Sequence, residues 1–106
     1  MTETGCTIAT WAAETFGAAG SDARVAARAN EEMAELIRAA TAGLTGDTIV
    51  DECADVVIVL ARLCFRQNGV DIFDAVDHKM QVNRARRWAK DGTGHGYHVR
   101  SKPETS

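Results

Sequence analysis

The heptapeptide EEMAELI at residues 31–37 recurs, residue class for residue class, as DECADVV at residues 51–57. In each copy the second and fifth positions are acids that lie three residues apart. This spacing puts both carboxylates on one face of an α-helix. The repeat therefore predicts two helices, each of which carries a pair of acids beside an apolar stripe.

The apolar stripes predict how the two helices pack. The residues expected to face inward are Ala29, Met33, Leu36, Ile37 and Ala40 on the first helix, and Ile49, Cys53, Val56, Val57, Leu60 and Cys64 on the second. Each acid pair lies at the edge of its stripe, so packing of the stripes brings four carboxylates towards one cleft.

The converging acids are Glu32, Glu35, Glu52 and Asp55. Carboxylates beside a core are costly unless a cation compensates them. Oxygen ligands of this kind suit a hard divalent cation, so the sequence predicts a Mg²⁺ site. Glu31 and Asp51 lie further round their helices, and three positions are open to them: behind the ligands, at the periphery of the site, or in water.

Composition limits the class of protein. A chain of 106 residues with 45% hydrophobic and 6% aromatic residues is expected to form one all-α domain, residues 1–106. A net charge of -3 argues against a nucleic-acid polymer as partner. Three cysteines without a CxxC spacing are expected to be reduced, with Cys53 and Cys64 in the core. No signal-peptide pattern or apolar run of about 20 residues is present, which predicts a cytoplasmic protein without a membrane partner.

Helical periodicity and turn signals divide the chain into four helices. We expect helices from Thr7 to about Ala18, from Ser21 or Asp22 to about Ala42, from Thr45 or Asp47 to Asn68-Gly69, and from about Asp71 to near Lys90. Short turns between them predict an antiparallel four-helix bundle. The broad apolar stripe of the third helix, with Val59, Leu63 and Phe65, predicts a homodimer or homotetramer.

The end of the chain has two segments without a helical pattern. The glycine-rich stretch 91–98 is either a loop that covers a ligand or a loose linker. Residues 101–106 are expected to be disordered.

The fourth predicted helix carries cationic and amide side chains near its end. Lys79, Asn83 and Arg86 share one helical face, and Arg87 follows Asn83 by four residues. From the residues alone, the expected role of these cations is to complement the helix dipole, and contact with an anionic ligand is the alternative.

The order of these motifs along the chain resembles that of the MazG-like all-α nucleoside triphosphate pyrophosphohydrolases. The resemblance covers roughly residues 7–98 and consists of ExxE at 32–35, ExxD at 52–55 and then Lys79 and Asn83. Trp11, the Phe16-Gly17 pair, Asn30, Arg87-Trp88 and the ending 91–98 are similar to the short, often phage-encoded dATP/dGTP diphosphohydrolases of this superfamily.

The resemblance implies an enzyme that hydrolyses a nucleoside triphosphate, with dGTP and dATP expected, to the monophosphate and pyrophosphate. It implies two or more Mg²⁺ or Mn²⁺ ions on the four acids, in an oligomer in the cytoplasm of a bacterial cell or phage-infected host. It also favours contact of Lys79 and Asn83 with phosphate or sugar, and of Arg86 or Arg87 with phosphate charge. Two such ions about 3.5 to 4 Å apart can activate water and stabilise the leaving oxygen. One of the glutamates, Glu31 included, is expected to accept the proton of the attacking water.

Recognition of the base needs an aromatic surface and a polar group. Trp11 is the first candidate for stacking, Trp88 the second, and Asn30 can contact a base or sugar edge. Core or interface packing is the alternative role of both tryptophans. A di-iron site requires ExxH pairs, which this chain lacks. The remaining alternative is a non-catalytic helical module that binds a nucleotide or a protein.

Overall fold

The computed structural model describes residues 2–100, in which four helices precede a β-hairpin. The elements are α1 (Gly5–Phe16), α2 (Asp22–Thr41), α3 (Asp47–Phe65), α4 (Ile72–Ala85), β1 (Arg87–Lys90) and β2 (Gly96–Val99). The predicted four helices and mostly helical character are confirmed. The predicted disorder of 101–106 concerns residues outside the described range. Among residues 2–100, no helix combines the length and apolar character needed to cross a membrane.

The chain divides into two compact units, Met1–Ala75 and Val76–Ser106. In the first unit α3 packs against both α1 and α2. The buried apolar residues are mostly small: Ile8, Ala12, Val25, Ala39, Val56 and Ala61. Small side chains at the contacts allow the helices to approach closely.

The inward face of α2 differs from the predicted one. The residues buried on this helix are Val25, Glu32 and Ala39, which are spaced seven apart. Met33 and Ile37, which were expected in the core, are exposed. Glu32 therefore lies on the central buried line of α2 and not at its edge.

The predicted face of α3 is also partly wrong. Cys53 and Val57 are exposed, whereas Val59, Leu63 and Phe65, expected as leftover surface, are half-buried. Cys64 is half-buried as well. Because α3 packs against helices on two sides, the stripe that the sequence shows is wider than the face that either neighbour covers.

The start of α1 is fixed by a capping box. The Thr4 hydroxyl accepts a hydrogen bond from the Thr7 amide at 3.1 Å, and the Thr7 hydroxyl accepts one from the Thr4 amide at 2.7 Å. Thr4 is therefore the N-cap and α1 begins at Gly5, before the predicted Thr7, which supplies the reciprocal side chain of the capping box. Of the two residues at which the second helix was expected to begin, Ser21 is the N-cap, since its Oγ accepts from the Arg24 amide at 3.1 Å.

The end of α3 holds the loop between α1 and α2. Arg62 donates to the Gly17 carbonyl at 2.6 Å and Arg66 to the Ala19 carbonyl at 3.3 Å. Arg66 also pairs with Asp22 Oδ1 at 2.6 Å and, with Gln67, lowers the pKa of that carboxyl. Side chains of α3 thus satisfy carbonyls of a loop that has no regular structure of its own.

In the second unit the predicted helix to Lys90 is wrong. The helix ends at Ala85, and residues 87–90 form a strand that pairs antiparallel with β2, with Trp88 opposite His98. Arg87 therefore lies on a strand and does not share a helical face with Asn83. The glycine-rich stretch is not a loose linker, because residues 96–99 form the second strand of the hairpin.

A turn built on Asp91 explains the hairpin. Asp91 Oδ1 accepts hydrogen bonds from the Thr93 amide at 2.8 Å and from the Thr93 hydroxyl at 2.6 Å. Such local bonds of an Asp side chain reverse the chain direction and compete with helix. Gly96 is required next to the turn, because a Cβ there would lie 2.2 Å from the Ala89 carbonyl oxygen.

Asp71 caps two helices at once. Its Oδ2 accepts from the Gly5 amide at the start of α1 at 2.9 Å, and its Oδ1 accepts from the Phe73 amide at the start of α4 at 2.8 Å. A Cβ at Gly5 would lie 3.0 Å from the Asp71 Cα, so only glycine allows this approach without a shift of the backbone. One carboxylate therefore satisfies amides that the first turns of two helices leave unpaired.

We predict that Asp71→Ala lowers the free energy of unfolding by about 1 to 2 kcal/mol, the cost of losing a helix cap. Asp74→Ala is the matched control, because it removes a carboxylate from the first turn of α4. Its effect should stay within about 0.5 kcal/mol. Chemical denaturation monitored by circular dichroism measures both, and equal losses in the two variants would contradict the double-cap role.

Candidate functional site

The two copies of the repeated motif bring three acids together. Glu32 of α2 and Glu52 and Asp55 of α3 each place a carboxylate oxygen within 4.8 Å of the others. The three acids meet because α2 and α3 pack against each other along the faces that carry Glu32 and Glu52. Three carboxylates so close together repel one another unless a cation lies among them.

Glu32 is the most constrained of the three. Its side chain is only 8% exposed, and Oε1 accepts an ion-pair contact of 2.5 Å from Arg28 Nη2. The pKa of Glu32 is nevertheless raised above its ordinary value. Burial is the largest cause, the charges of Glu35 and Asp55 add to it, and Arg28 opposes it. The arginine therefore compensates the buried charge only in part.

Glu52 has an oxygen without a partner. Its Oε2 is removed from solvent and accepts no hydrogen bond among the described residues. A buried carboxylate oxygen is stable only with a donor or a cation near it. The trio consists entirely of carboxylate oxygens, the ligand type that Mg²⁺ and Mn²⁺ prefer. The residues present therefore fit a hard divalent cation.

The other predicted acids lie around the trio. Glu35, expected as the fourth ligand, lies outside the group of three but lines the adjacent cavity. Glu31 is exposed and its Oε2 lies 2.7 Å from Arg28 Nη1. Asp51 is exposed on α3. Of the two outer acids, Glu31 is thus linked to Glu32 through a shared arginine.

A cavity of about 720 Å³ lies beside the acids, within the first unit. Glu32, Glu35 and Asp55 line it on one side. Its other walls are apolar or cationic, and are formed by Trp11, Ala12, Phe16, the 17–20 loop, Arg24, Val25, Arg28, Ile58, Val59 and Arg62. A volume in this range, with apolar walls and a few convergent polar groups, is typical of a small-molecule site.

The aromatic wall comes from α1. Trp11 is half-exposed, and its ring centroid lies 5.4 Å from that of Phe16 in an edge-to-face arrangement. This arrangement leaves a flat face of the indole free of the phenyl ring. Asn30, predicted to contact a base or sugar, is exposed and is not part of the cavity lining.

The predicted cations of the fourth helix belong to the second unit. Lys79 is exposed on α4, and Arg86 lies just after it. Partial burial lowers the pKa of His98, and the charges of Arg86, Arg100 and Lys79 lower it further. These cations therefore form a basic cluster around one end of the hairpin.

Asn83 and Trp88 contact each other in the same unit. Trp88 Nε1 donates to the Asn83 carbonyl at 2.7 Å, and the Trp88 ring lies 5.7 Å from His98. The Asn83 side-chain oxygen is buried without a hydrogen-bond partner among the described residues. A buried amide oxygen usually has a hydrogen-bond donor as its partner.

Sequence reasoning missed the three arginines of the cavity, Arg24, Arg28 and Arg62. A signal for one of them was present, because Arg28 precedes Glu32 by four residues, the spacing of an ion pair along a helix. No sequence pattern links Arg62 to this site, since it reaches the cavity through tertiary packing.

We predict that Glu32→Gln gains stability relative to the wild type as pH rises from 4 to 7 in EDTA. A carboxyl whose folded pKa is raised stabilises the fold below its unfolded pKa, and this stabilisation is lost as pH rises through the folded pKa. The amide avoids this loss. Melting temperatures across the pH range measure the effect.

Glu31→Gln is the control for this pH series, because it removes the exposed carboxylate that also contacts Arg28. Its melting temperature relative to the wild type should not increase over the same range. A relative loss of stability in Glu32→Gln towards pH 7 would mean that Arg28 overcompensates the buried charge.

The comparisons with known proteins identify no relative. No family model matches the chain, and neither the curated proteins nor the solved structures contain a match.

Proposed function

We propose that this protein is a metal-dependent nucleoside triphosphate pyrophosphohydrolase that converts dGTP and dATP to the monophosphate and pyrophosphate. The observation that carries the proposal is the trio of Glu32, Glu52 and Asp55, which lies beside a cavity with aromatic and cationic walls. Acids suited to a cation, arginines suited to phosphate and rings suited to a base occur together at one site. The resemblance of the motif order to MazG-like enzymes, which are oligomeric all-α bundles, points to the same reaction.

The acids have distinct roles in the proposal. Glu32, Glu52 and Asp55 hold Mg²⁺ or Mn²⁺, and a divalent cation there supplies Lewis-acid stabilisation of phosphate charge. Water attacks the α-phosphorus and pyrophosphate leaves. Glu35 lines the cavity outside the trio, so it is the acid best placed to accept the proton of the attacking water.

The cavity walls position the nucleotide. The exposed indole of Trp11 stacks on the base, with Phe16 as its lateral support. The guanidinium groups of Arg24 and Arg28 lie one turn apart on α2 and contact phosphate oxygens, for which their planar donor geometry is suited. Catalysis of phosphoryl transfer depends mainly on such positioning and on charge stabilisation.

The motif order also assigns a substrate role to residues of the second unit. By that resemblance alone, we propose that Lys79 and Arg86 contact phosphate and that Asn83 contacts phosphate or sugar. Arg87, on strand β1, adds positive charge near the same hairpin.

We also propose that the protein is a homodimer or homotetramer. Exposed apolar side chains line one face of each motif helix, with Met33 and Ile37 four apart on α2 and Val50 and Val57 seven apart on α3. Apolar stripes of this kind are typical of helix–helix interfaces between subunits. The same exposed stripes support the second candidate function, a helical module that binds another protein without catalysis.

The reaction is tested by chromatographic product analysis after incubation with each common ribo- and deoxyribonucleoside triphosphate, in Mg²⁺, Mn²⁺ or EDTA. We expect metal-dependent formation of monophosphate and pyrophosphate, fastest with dGTP or dATP. Formation of diphosphate and orthophosphate would move the attack to the γ-phosphorus and refute the mechanism. Absence of turnover with every substrate would favour the binding module.

Glu52→Gln and Asp55→Asn test the metal ligands. Each should lower kcat/KM by at least about 100-fold, because even residues that only support metal ligands contribute 10- to 100-fold. Glu14→Gln removes an exposed acid of α1 and should leave the rate unchanged. Activity within a few-fold of the wild type in Asp55→Asn would exclude this acid as a ligand.

A further inference from the structure

Arg28 has an unusual position among the cations of the cavity. Its two terminal nitrogens contact two different acids, Glu31 at 2.7 Å and Glu32 at 2.5 Å. Its side chain is 56% exposed, whereas that of Glu32 is 8% exposed. A largely solvated cation is therefore bound to the most buried acid of the trio.

The charges around Arg28 favour its replacement at Glu32 by a divalent cation. When a divalent cation binds the trio, the charge of Glu32 is compensated without the arginine, and the cation and the guanidinium repel each other. Because most of the Arg28 side chain is in solvent, its departure buries no new charge and breaks no core packing. The ion pair with Glu31 is exposed and weak, so it does not hold the guanidinium in place.

Arg28 also lines the cavity proposed for the triphosphate. A guanidinium that leaves Glu32 remains on the wall of this cavity, where its planar donor groups suit an anionic group of a ligand.

We propose that Arg28 is an exchangeable counter-ion, which neutralises Glu32 when no divalent cation is bound and binds an anionic group of the ligand once the cation has taken its place. The inference rests on the metal site of the proposed function. It makes the binding of cation and anion interdependent, because the first releases the residue that holds the second.

The test compares wild type, Arg28→Gln and Arg38→Gln by titration calorimetry with Mn²⁺ alone. Removal of the competing ion pair should tighten Mn²⁺ binding in Arg28→Gln by about two- to fivefold. Arg38→Gln is the matched control, because it removes one exposed positive charge from the same helix outside the cavity, and Arg38 forms no ion pair within residues 2–100. Its Mn²⁺ affinity should equal that of the wild type.

The second titration uses the non-hydrolysable α,β-methylene analogue of dGTP in the presence of Mn²⁺. Arg28→Gln should bind the analogue about tenfold more weakly, the loss expected for one charge-assisted hydrogen bond. Arg28→Lys keeps the charge and should recover part of this affinity. Tighter metal binding together with weaker analogue binding is the pattern that a purely structural role would not produce, since structural damage weakens both.

The outcomes separate the two proposals. If the wild type binds Mn²⁺ and Arg28→Gln binds it equally or more weakly, Arg28 orients Glu32 and the exchange is wrong, while the metal site stands. If neither protein binds Mn²⁺, the metal site and the exchange both fail. Thermal melts of each variant in EDTA establish that the compared proteins are folded.

Discussion

The burial of one carboxylate, that of Glu32, is the constraint on which the site depends. Its side chain lies on the central line of α2, where Val25 and Ala39 occupy the equivalent positions seven residues away. A charge at such a position disfavours the folded state, and the raised pKa of Glu32 expresses this cost. Arg28 offsets part of it, and the proximity of Asp55 increases it. The unsatisfied charge is what makes the cluster receptive to a cation.

The cavity beside Glu32 depends on a second set of charges. Its floor is formed by α2 and α3, but one wall is the loop between α1 and α2. Arg62 and Arg66 hold this loop through its carbonyl groups, and Asp22 anchors Arg66 at the start of α2. Arg62 and Arg66 of α3 thus fix the position of this loop. Arg62 also adds positive charge to the cavity.

The sequence repeat predicted the two motif helices and the meeting of three of the four acids, because the spacing of charges along a helix is local information. It did not predict that Glu32, and not Met33 or Ile37, faces inward. Alanine-rich helices have several faces of similar hydrophobicity, and packing against α3 selects one of them. The hairpin was missed for a related reason, since residues 87–90 suit a helix and only the turn bonds of Asp91 favour the strand. The arginines of the cavity depend on tertiary packing that no local pattern encodes.

The two hydrogen bonds of Asp71 couple the opening of the first turn of α1 to that of α4. The amides of Gly5 and Phe73 are donors to the two oxygens of a single side chain, although 66 residues separate Gly5 from Asp71. A rotation of that one side chain frees both amides in the same event. The Gly5 and Phe73 amides are therefore expected to open together and to show similar protection against hydrogen exchange, so that two helices distant in the sequence fray as a single unit.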